Sequence, residues 1–574
     1  MAEMNGAETI LESIQAAGAD HIFMFVGGMV DPFLEPLARQ SRLRPILAAN
    51  EAGAAYAADG YARASGKFGP ALMIGGPGIF NATGAIGAAS ADGVPMLVIS
   101  GEAPTGNFGR GYFQDASPLG TDDLRTFDGL TGFSHMVPTP AALPQYLRDA
   151  YRTMLSEWRR PVHLAVPVDV QSAPIPDWHD SWLPTTRSPA ILDATAFSEF
   201  AEHALTPSTR IAILAGWGTV EAKASAELRE VAEAFSIPVA STYRAKGVLP
   251  EDHPLSLGMF GYAGNPQAVK CLTDPNLEVL LVLGSSLNQR DTMSWDTRLN
   301  PSLGIAQINF QASALGRNFP AKFPIQGDVR VALRALLDES NPWAARLRAT
   351  RDARAQWADG FAGGPRFLDP ASRDSDATPM HPARVIKELR DALPADAALL
   401  VDSGAHRAFA GHHFPVLSPN RFFSATGIGP MGWAIAAATG VACALPGTKT
   451  VVVTGDGCML QNGIEVATAA RHQLDILYLV INNAALGNVY LRAKQSGQGA
   501  AAFTILRENN WAQFADSLGV PGRTAATPQE FATAVREYLS RPGPMLIDAR
   551  CDRDVSTPIA PWVDALHHGN IYSE

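Results

Sequence analysis

Nine short apolar runs recur along this chain, each bounded by turn residues and separated by helical patterns. They are Ala71 to Ile74, Met96 to Ser100, Val162 to Val166, Ile211 to Ala215, Val279 to Leu283, Leu399 to Val401, Val451 to Thr454, Ile476 to Ile481 and Met545 to Ile547. Their residues are apolar consecutively rather than alternately, which suits strands buried on both faces. Parallel sheets covered by helices provide that environment, so the expected class is α/β with doubly wound parallel sheets.

At 574 residues the chain is too long for a single core, and three domains are expected. Two stretches break the rhythm and read as linkers: Gln171 to Leu192, rich in Pro, Trp and Ser, and Asn341 to His381, mixing charge with Gly and Pro. The units they mark off span 1–175, 190–340 and 380–555, with a tail at 556–574. No short solenoid period occurs, but the first and third units read as similar folds used twice.

Composition then excludes function classes. With 47% hydrophobic and 18% charged residues the chain reads as globular rather than disordered. A net charge of −11 without any basic run argues against a nucleic-acid surface. Four cysteines, Cys271, Cys443, Cys458 and Cys551, lack the close spacing of zinc or disulfide frameworks, and a reducing cytoplasm is expected. Met1 to Gly18 carries Glu3, Glu8 and Glu12 and reads as no targeting signal, and no apolar run reaches membrane-spanning length.

Chemistry concentrates in the third unit. Gly455-Asp456-Gly457 follows one apolar run, and Asn482-Asn483 ends the next. An aspartate and an asparagine so placed converge oxygens on one hard cation, Mg²⁺ or Ca²⁺, able to hold a diphosphate. Taken singly, the two halves are also an ordinary surface turn and loop. In the first unit Glu51 sits among small residues in Ala48-Ala49-Asn50-Glu51-Ala52-Gly53-Ala54-Ala55, where a lone acid also reads as a helix N-terminal residue favoured by the dipole.

Together these motifs resemble the thiamin-diphosphate enzymes. The matching residues run in order over nearly the whole chain: Gly27-Gly28, Glu51, Gly60-Tyr61-Ala62-Arg63, Gly75-Gly76-Pro77-Gly78-Ile79-Phe80-Asn81, Pro95 to Gly101, and finally Gly455 to Asn483. The resemblance implies a pyrimidine-binding domain, a central nucleotide-type domain and a diphosphate-binding domain. It implies Mg²⁺ held by Asp456, Asn483 and the main-chain carbonyl of Ala485, with Gly28, Asn81, Gly455, Gly457 and Cys458 around the coenzyme. Cys458 replaces a common Ser, so a main-chain contact is expected there. His406, in Ser403-Gly404-Ala405-His406, is expected near phosphate oxygens. Glu51 is implied as the catalytic acid that favours the coenzyme's imino tautomer, whose nitrogen then takes a ring proton intramolecularly. Met431 would prop the bent coenzyme and the Gly429 carbonyl would accept from its amino group; Met431 also reads as simple core filling. The family builds each site from two subunits, implying a homodimer and often a homotetramer.

Within the family the chain resembles the acetolactate synthase branch. Phe113-Gln114-Asp115-Ala116 matches a segment lining that active site, giving Gln114 a catalytic and Phe113 a substrate role. Pro238 to Thr242, Lys246 to Pro250 and Leu257 to Gly261 follow its middle domain, and Gly284 to Arg290 places Arg290 where a keto-acid carboxylate binds. No His-His pair stands near Phe113; His412-His413 and His567-His568 lie elsewhere, which favours carboligation over simple decarboxylation. In Ala306 to Gln311 amides replace the branch's two carboxylates near FAD, so FAD, an empty site and a CoA-type nucleotide all remain readings of the central domain. The expected activity is decarboxylation of a 2-keto acid such as pyruvate followed by carboligation. A 2-hydroxyacyl-CoA lyase, a benzoylformate-type decarboxylase and a non-catalytic scaffold are the alternatives.

Overall fold

The computed structural model describes residues 4–156, 158–176, 178–179, 190–205 and 208–568. Among the described residues eighteen strands form three six-stranded sheets in which every strand pairing is parallel. The first sheet uses β1 (His21–Met24), β2 (Arg44–Leu47), β3 (Gly69–Ile74), β4 (Met96–Glu102), β5 (Ser134–Met136) and β6 (Pro161–Pro167), in the order β2-β1-β3-β4-β6-β5. The second uses β7 (Ile211–Ala215), β8 (Val239–Ser241), β9 (Ser256–Met259), β10 (Val279–Leu283), β11 (Gly304–Asn309) and β12 (Ala321–Gln326), in the order β12-β11-β10-β7-β8-β9. The third uses β13 (Ala398–Val401), β14 (Phe422–Phe423), β15 (Thr450–Gly455), β16 (Ile476–Asn482), β17 (Gly522–Ala525) and β18 (Met545–Arg550), in the order β14-β13-β15-β16-β18-β17.

All nine apolar runs are strands, as expected of segments covered on both faces; β3, β4, β6, β7, β10, β13, β15 and β16 are buried at every residue. First and third sheets share one strand order, whereas the central sheet has the order of a dinucleotide-binding domain. The linker reading of Asn341 to His381 is corrected. Helices Pro342–Ala349 and Arg351–Ala362 form there, burying Trp343 and Leu347 in one side of the central core and packing Trp357 and Phe361 against the other. Of the other linker, residues 177 and 180–189 lie outside the described residues, as do 569–574 of the tail. The described part of that tail forms helix Ala560–His568, whose Trp562 meets Tyr262 edge-on at 5.8 Å.

One hydrophobic core joins the first and third sheets across two helices, Glu51–Ser65 and Trp433–Ala444. Their backbones touch through glycines: a Cβ on Gly60 would lie 2.1 Å from the Ala437 carbonyl, and one on Gly440 1.8 Å from that of Ala57. Trp433, fully packed between them, donates its indole N–H to Asp59 at 2.5 Å. A buried aliphatic side chain in such a core contributes about 1.5–3 kcal/mol. The helix carrying Glu51 at its start is therefore fixed by the third domain of its own chain.

Candidate active site

Asp456 begins helix Asp456–Asn462 directly after β15, and Asn483 follows the last residue of β16, the neighbouring strand. The two strand ends bring the motifs together. Asp456 accepts from the amide of Gly457 at 2.8 Å and from that of Ala485 at 3.2 Å. Asn483 Oδ1 accepts from the same Ala485 amide at 3.2 Å. Asn482 faces the other way, donating to Asp548 at 2.8 Å and anchoring the loop, while Ala484 takes a positive φ of 51° to turn it. Burial pushes the Asp456 carboxyl up to about 6. A divalent cation beside it would favour the charged form, and one carboxylate, one amide oxygen and one carbonyl form an oxygen set suited to a hard ion. Among the described residues no group of three or more His, Cys, Asp or Glu could hold a metal, so any cation here relies on that mixed set.

These residues line a cleft of about 110 Å³ together with His406, Met431, Gly455, Gly457 and Cys458. His406 is buried against Gly404 and Gly455, where a Cβ would come within 2.4 and 2.9 Å of its ring. Burial, with the neighbouring Arg407 charge, pushes its imidazole down to about 3, so it acts as a neutral group. Its Nε2 is buried without a partner, as expected of an atom awaiting a ligand. Gly457 has no room for a side chain, since a Cβ would lie 2.8 Å from Leu486 and 3.0 Å from Met431. The Cys458 thiol turns inward, donating to the Ser403 carbonyl at 3.2 Å, and burial pushes it up. Gly429 has a φ of 59°, and its carbonyl already accepts the Ser403 hydroxyl at 2.6 Å, leaving one lone pair for another donor.

Among the described residues none of the first domain lines this cleft. Glu51 sits elsewhere, buried at its helix start, with Oε2 held by the Asn81 amide at 3.1 Å and Oε1 facing Gly78. Asn50 caps that helix by accepting from the Gly53 amide at 2.8 Å. Sequence reasoning missed Glu465 of the third domain, which accepts from the amides of Ala49 and Asn50 at 3.3 and 3.1 Å and so clamps the same start. Ser403 was missed too, although it neighbours the motif that carries His406. Gly28 opens the turn Gly28–Phe33 and faces free space. Phe113 projects into solvent, and Gln114 adopts a φ of 60° on a loop fixed by Asp115, which accepts from the amides of Gly109 and Ser117. Arg290 lies in a third place: a cleft of about 680 Å³ that the central domain lines together with Asp92 and Gly93 of the first and Arg407 and Gly427 of the third, its guanidinium 4.5 Å over the Tyr262 ring.

Three thiamine pyrophosphate enzyme domains match in order: the N-terminal TPP binding domain over 4–121, the central domain over 199–336 and the C-terminal TPP binding domain over 402–549. The "Probable acetolactate synthase large subunit" of Methanocaldococcus jannaschii is 31% identical, covering 97% of this chain and 94% of its own. The chain belongs to the thiamine pyrophosphate enzymes, in their acetolactate synthase-like branch. The "Acetolactate synthase isozyme 1 large subunit" of Escherichia coli (strain K12) is 29% identical over 97% of this chain and 96% of its own. That of Corynebacterium glutamicum, named "Acetolactate synthase large subunit", is 30% identical over 94% and 86%. The protein is thus a thiamin-diphosphate-dependent enzyme of the transferase and lyase kind, and the scaffold alternative falls away. Among the described residues no helix is long and apolar enough to cross a membrane.

Proposed function

We propose that this enzyme decarboxylates a 2-keto acid, pyruvate first among them, and joins the acyl unit to a second carbonyl compound, in a cytoplasmic homodimer whose sites lie between copies. The observation that carries this reading is the division of the site: the cleft of Asp456, Asn483 and His406 draws nothing from the first domain of its own chain, and Glu51 with Asn81 stands apart from it. Side chains beside the site residues support it, since Phe113, Leu119, Ile428, Leu460 and Phe503 are each 58–91% exposed, an apolar surface suited to a second copy. Tetramers would pair such dimers.

In this reading Asp456, Asn483 and the Ala485 carbonyl hold Mg²⁺ against the diphosphate, and the free Nε2 of His406 adds a neutral contact to phosphate oxygen. Gly28, Gly455, Gly457 and the main chain at Cys458 leave room for close approach. Thiamin diphosphate held there would supply a nucleophilic carbon and an electron sink for decarboxylation of the keto acid. Glu51, its Oε2 held by Asn81, shares a proton at the pyrimidine ring nitrogen of the coenzyme bound mainly by the other copy. Met431, on the cleft wall, would support the coenzyme's ring system, and the spare lone pair of the Gly429 carbonyl would accept from its amino group. Phe113 and Gln114 bound the substrate side. Arg290 offers a guanidinium fork to a carboxylate.

The end of β11 lacks the acid that a dinucleotide ribose favours, which weighs against FAD there. Asn309 ends β11 and Gln311 follows it, and Asn309 Oδ1 accepts from the Gln311 amide at 3.0 Å. Carboligation is redox-neutral, so it gives a flavin no electron-transfer step. The test is product analysis: purified protein given thiamin diphosphate, Mg²⁺ and pyruvate yields acetolactate. Free acetaldehyde as the main product would favour a decarboxylase, and formyl-CoA from a hydroxyacyl-CoA would favour the lyase.

A further inference from the structure

Two acids in the first domain are wholly buried, and among the described residues no cation pairs with either. Glu102 ends β4, and Asp123 opens helix Asp123–Asp128. Glu102 Oε1 accepts from Ser100 at 3.3 Å, while its Oε2 and both Asp123 oxygens complete no well-formed hydrogen bond to another group. Both acids border the same glycine turn, Glu102 against Gly75 and Asp123 through Ala116 against Gly76, which brings the two carboxyls within electrostatic reach of each other. Two neighbouring carboxylates cannot both ionise in such surroundings, whereas one O–H···O⁻ bond between them satisfies both.

The pair lies where two walls of the site meet. On one side is the glycine turn at 75–78: a Cβ on Gly75 would come within 2.0 Å of Glu102 Oε1, and Gly78 rests on Glu51. On the other is the segment that carries Phe113 and Gln114, which Asp123 holds by donating its amide to the Ala116 carbonyl at 3.2 Å. Gly76 and Ala116 themselves face each other at van der Waals distance. We propose that Glu102 and Asp123 share one proton at neutral pH, and that this bonded pair is a positioning device pinning the Gly75–Gly78 turn to the Phe113–Ala116 segment.

The groups around the pair leave the proton no competitor. Asp115 on the Phe113 segment and Asp122 on the pair's own helix add only negative field. From the sheet, His163 bonds Ser100 at 2.8 Å and Ser134 at 3.0 Å; burial, and then His135 behind it, push it down to about 3, so it stays neutral. Burial and then the Asp123 charge hold Glu102 well above the usual carboxylate range. The sign follows from that direction. The contribution is complete below the unfolded value of about 4.3 and is lost as pH rises through the folded one. Losing the proton leaves two facing charges, and the two walls part.

The importance of these walls rests on the proposed function, but the test does not. The coenzyme-free protein, Glu102→Gln and Glu102→Ala are compared by limited proteolysis within 103–121 and by thermal unfolding from pH 6 to 9.5. Gln carries its own donor. It is expected to match the parent at pH 7 and to keep its protection at pH 9.5, where the parent becomes about tenfold more susceptible; Ala is susceptible throughout. In turnover assays the alkaline fall of kcat/KM flattens in Glu102→Gln. Parallel loss of protection in parent and Glu102→Gln would overturn the proposal, as would failure of both Glu102→Gln and Asp123→Asn to fold, since each keeps a donor for its partner. Acetolactate formation in a parent that fails the proteolysis test would leave the proposed function standing.

Discussion

The first and third domains are one sheet used twice, with the same strand order, yet the acids at their helix starts are surrounded differently. Asp456 receives two amides and stands beside a second oxygen donor, Asn483. Glu51 receives one side-chain amide, lies against glycine, and has its helix start clamped from the third domain by Glu465. The fold supplies the same thing in both places, a helix start at the carboxyl edge of a parallel sheet. The neighbours decide whether that position suits a cation or a proton.

Changes on the third-domain side should be largest. Asp456→Ala is expected to abolish Mg²⁺-dependent uptake of thiamin diphosphate, weakening it more than about a hundredfold by titration calorimetry; binding close to parental would remove the aspartate from the metal set. Glu51→Gln sharpens the contrast, since kcat should fall about 10²–10⁴-fold while coenzyme affinity stays near that of the parent. Loss of affinity in both variants alike would erase the division of labour. Glu465→Ala leaves two half-buried amides without their acceptor and should cost about 1–3 kcal/mol of stability in denaturant unfolding, with kcat reduced because Glu51 loses its fixed start. Smallest is Ser403→Ala, which frees the Gly429 carbonyl and should raise the KM for coenzyme only a few fold, equivalent to about 1 kcal/mol.

What the sequence shows depends on how each element is covered. Interior strands such as β4, β10 and β16 are continuous apolar runs and legible at once. The strands that escape notice include edges with exposed or polar residues, such as β2, β12 and β17, and β11, whose Gln307 and Asn309 break the apolar run although both are buried. Helices at 342–362 are hidden by charge, yet Trp343 with Leu347 and Trp357 with Phe361 stand four apart, the spacing of one helix face. In the site, motifs local in sequence were readable: Asp456 and Asn483 do meet. Pairs outside any motif were not: Glu465 and Ala49 lie far apart in the chain, and Glu102 and Asp123, although nearer in sequence than Asp456 and Asn483, form no recognisable pattern. An acid closing the run Met96 to Glu102 was the available sign, since a fully covered strand has no water for it.

The central claim, that each site joins the first domain of one copy to the third domain of another, is tested most directly by complementation. Glu51→Gln and Asp456→Ala chains, each inactive alone, are co-expressed with different tags and the mixed dimer is purified. One of its two sites then carries both native acids, so the mixed dimer should recover about half the parental turnover. A mixed dimer as inactive as the two variants would show that each site is built within a single chain, and would contradict the account.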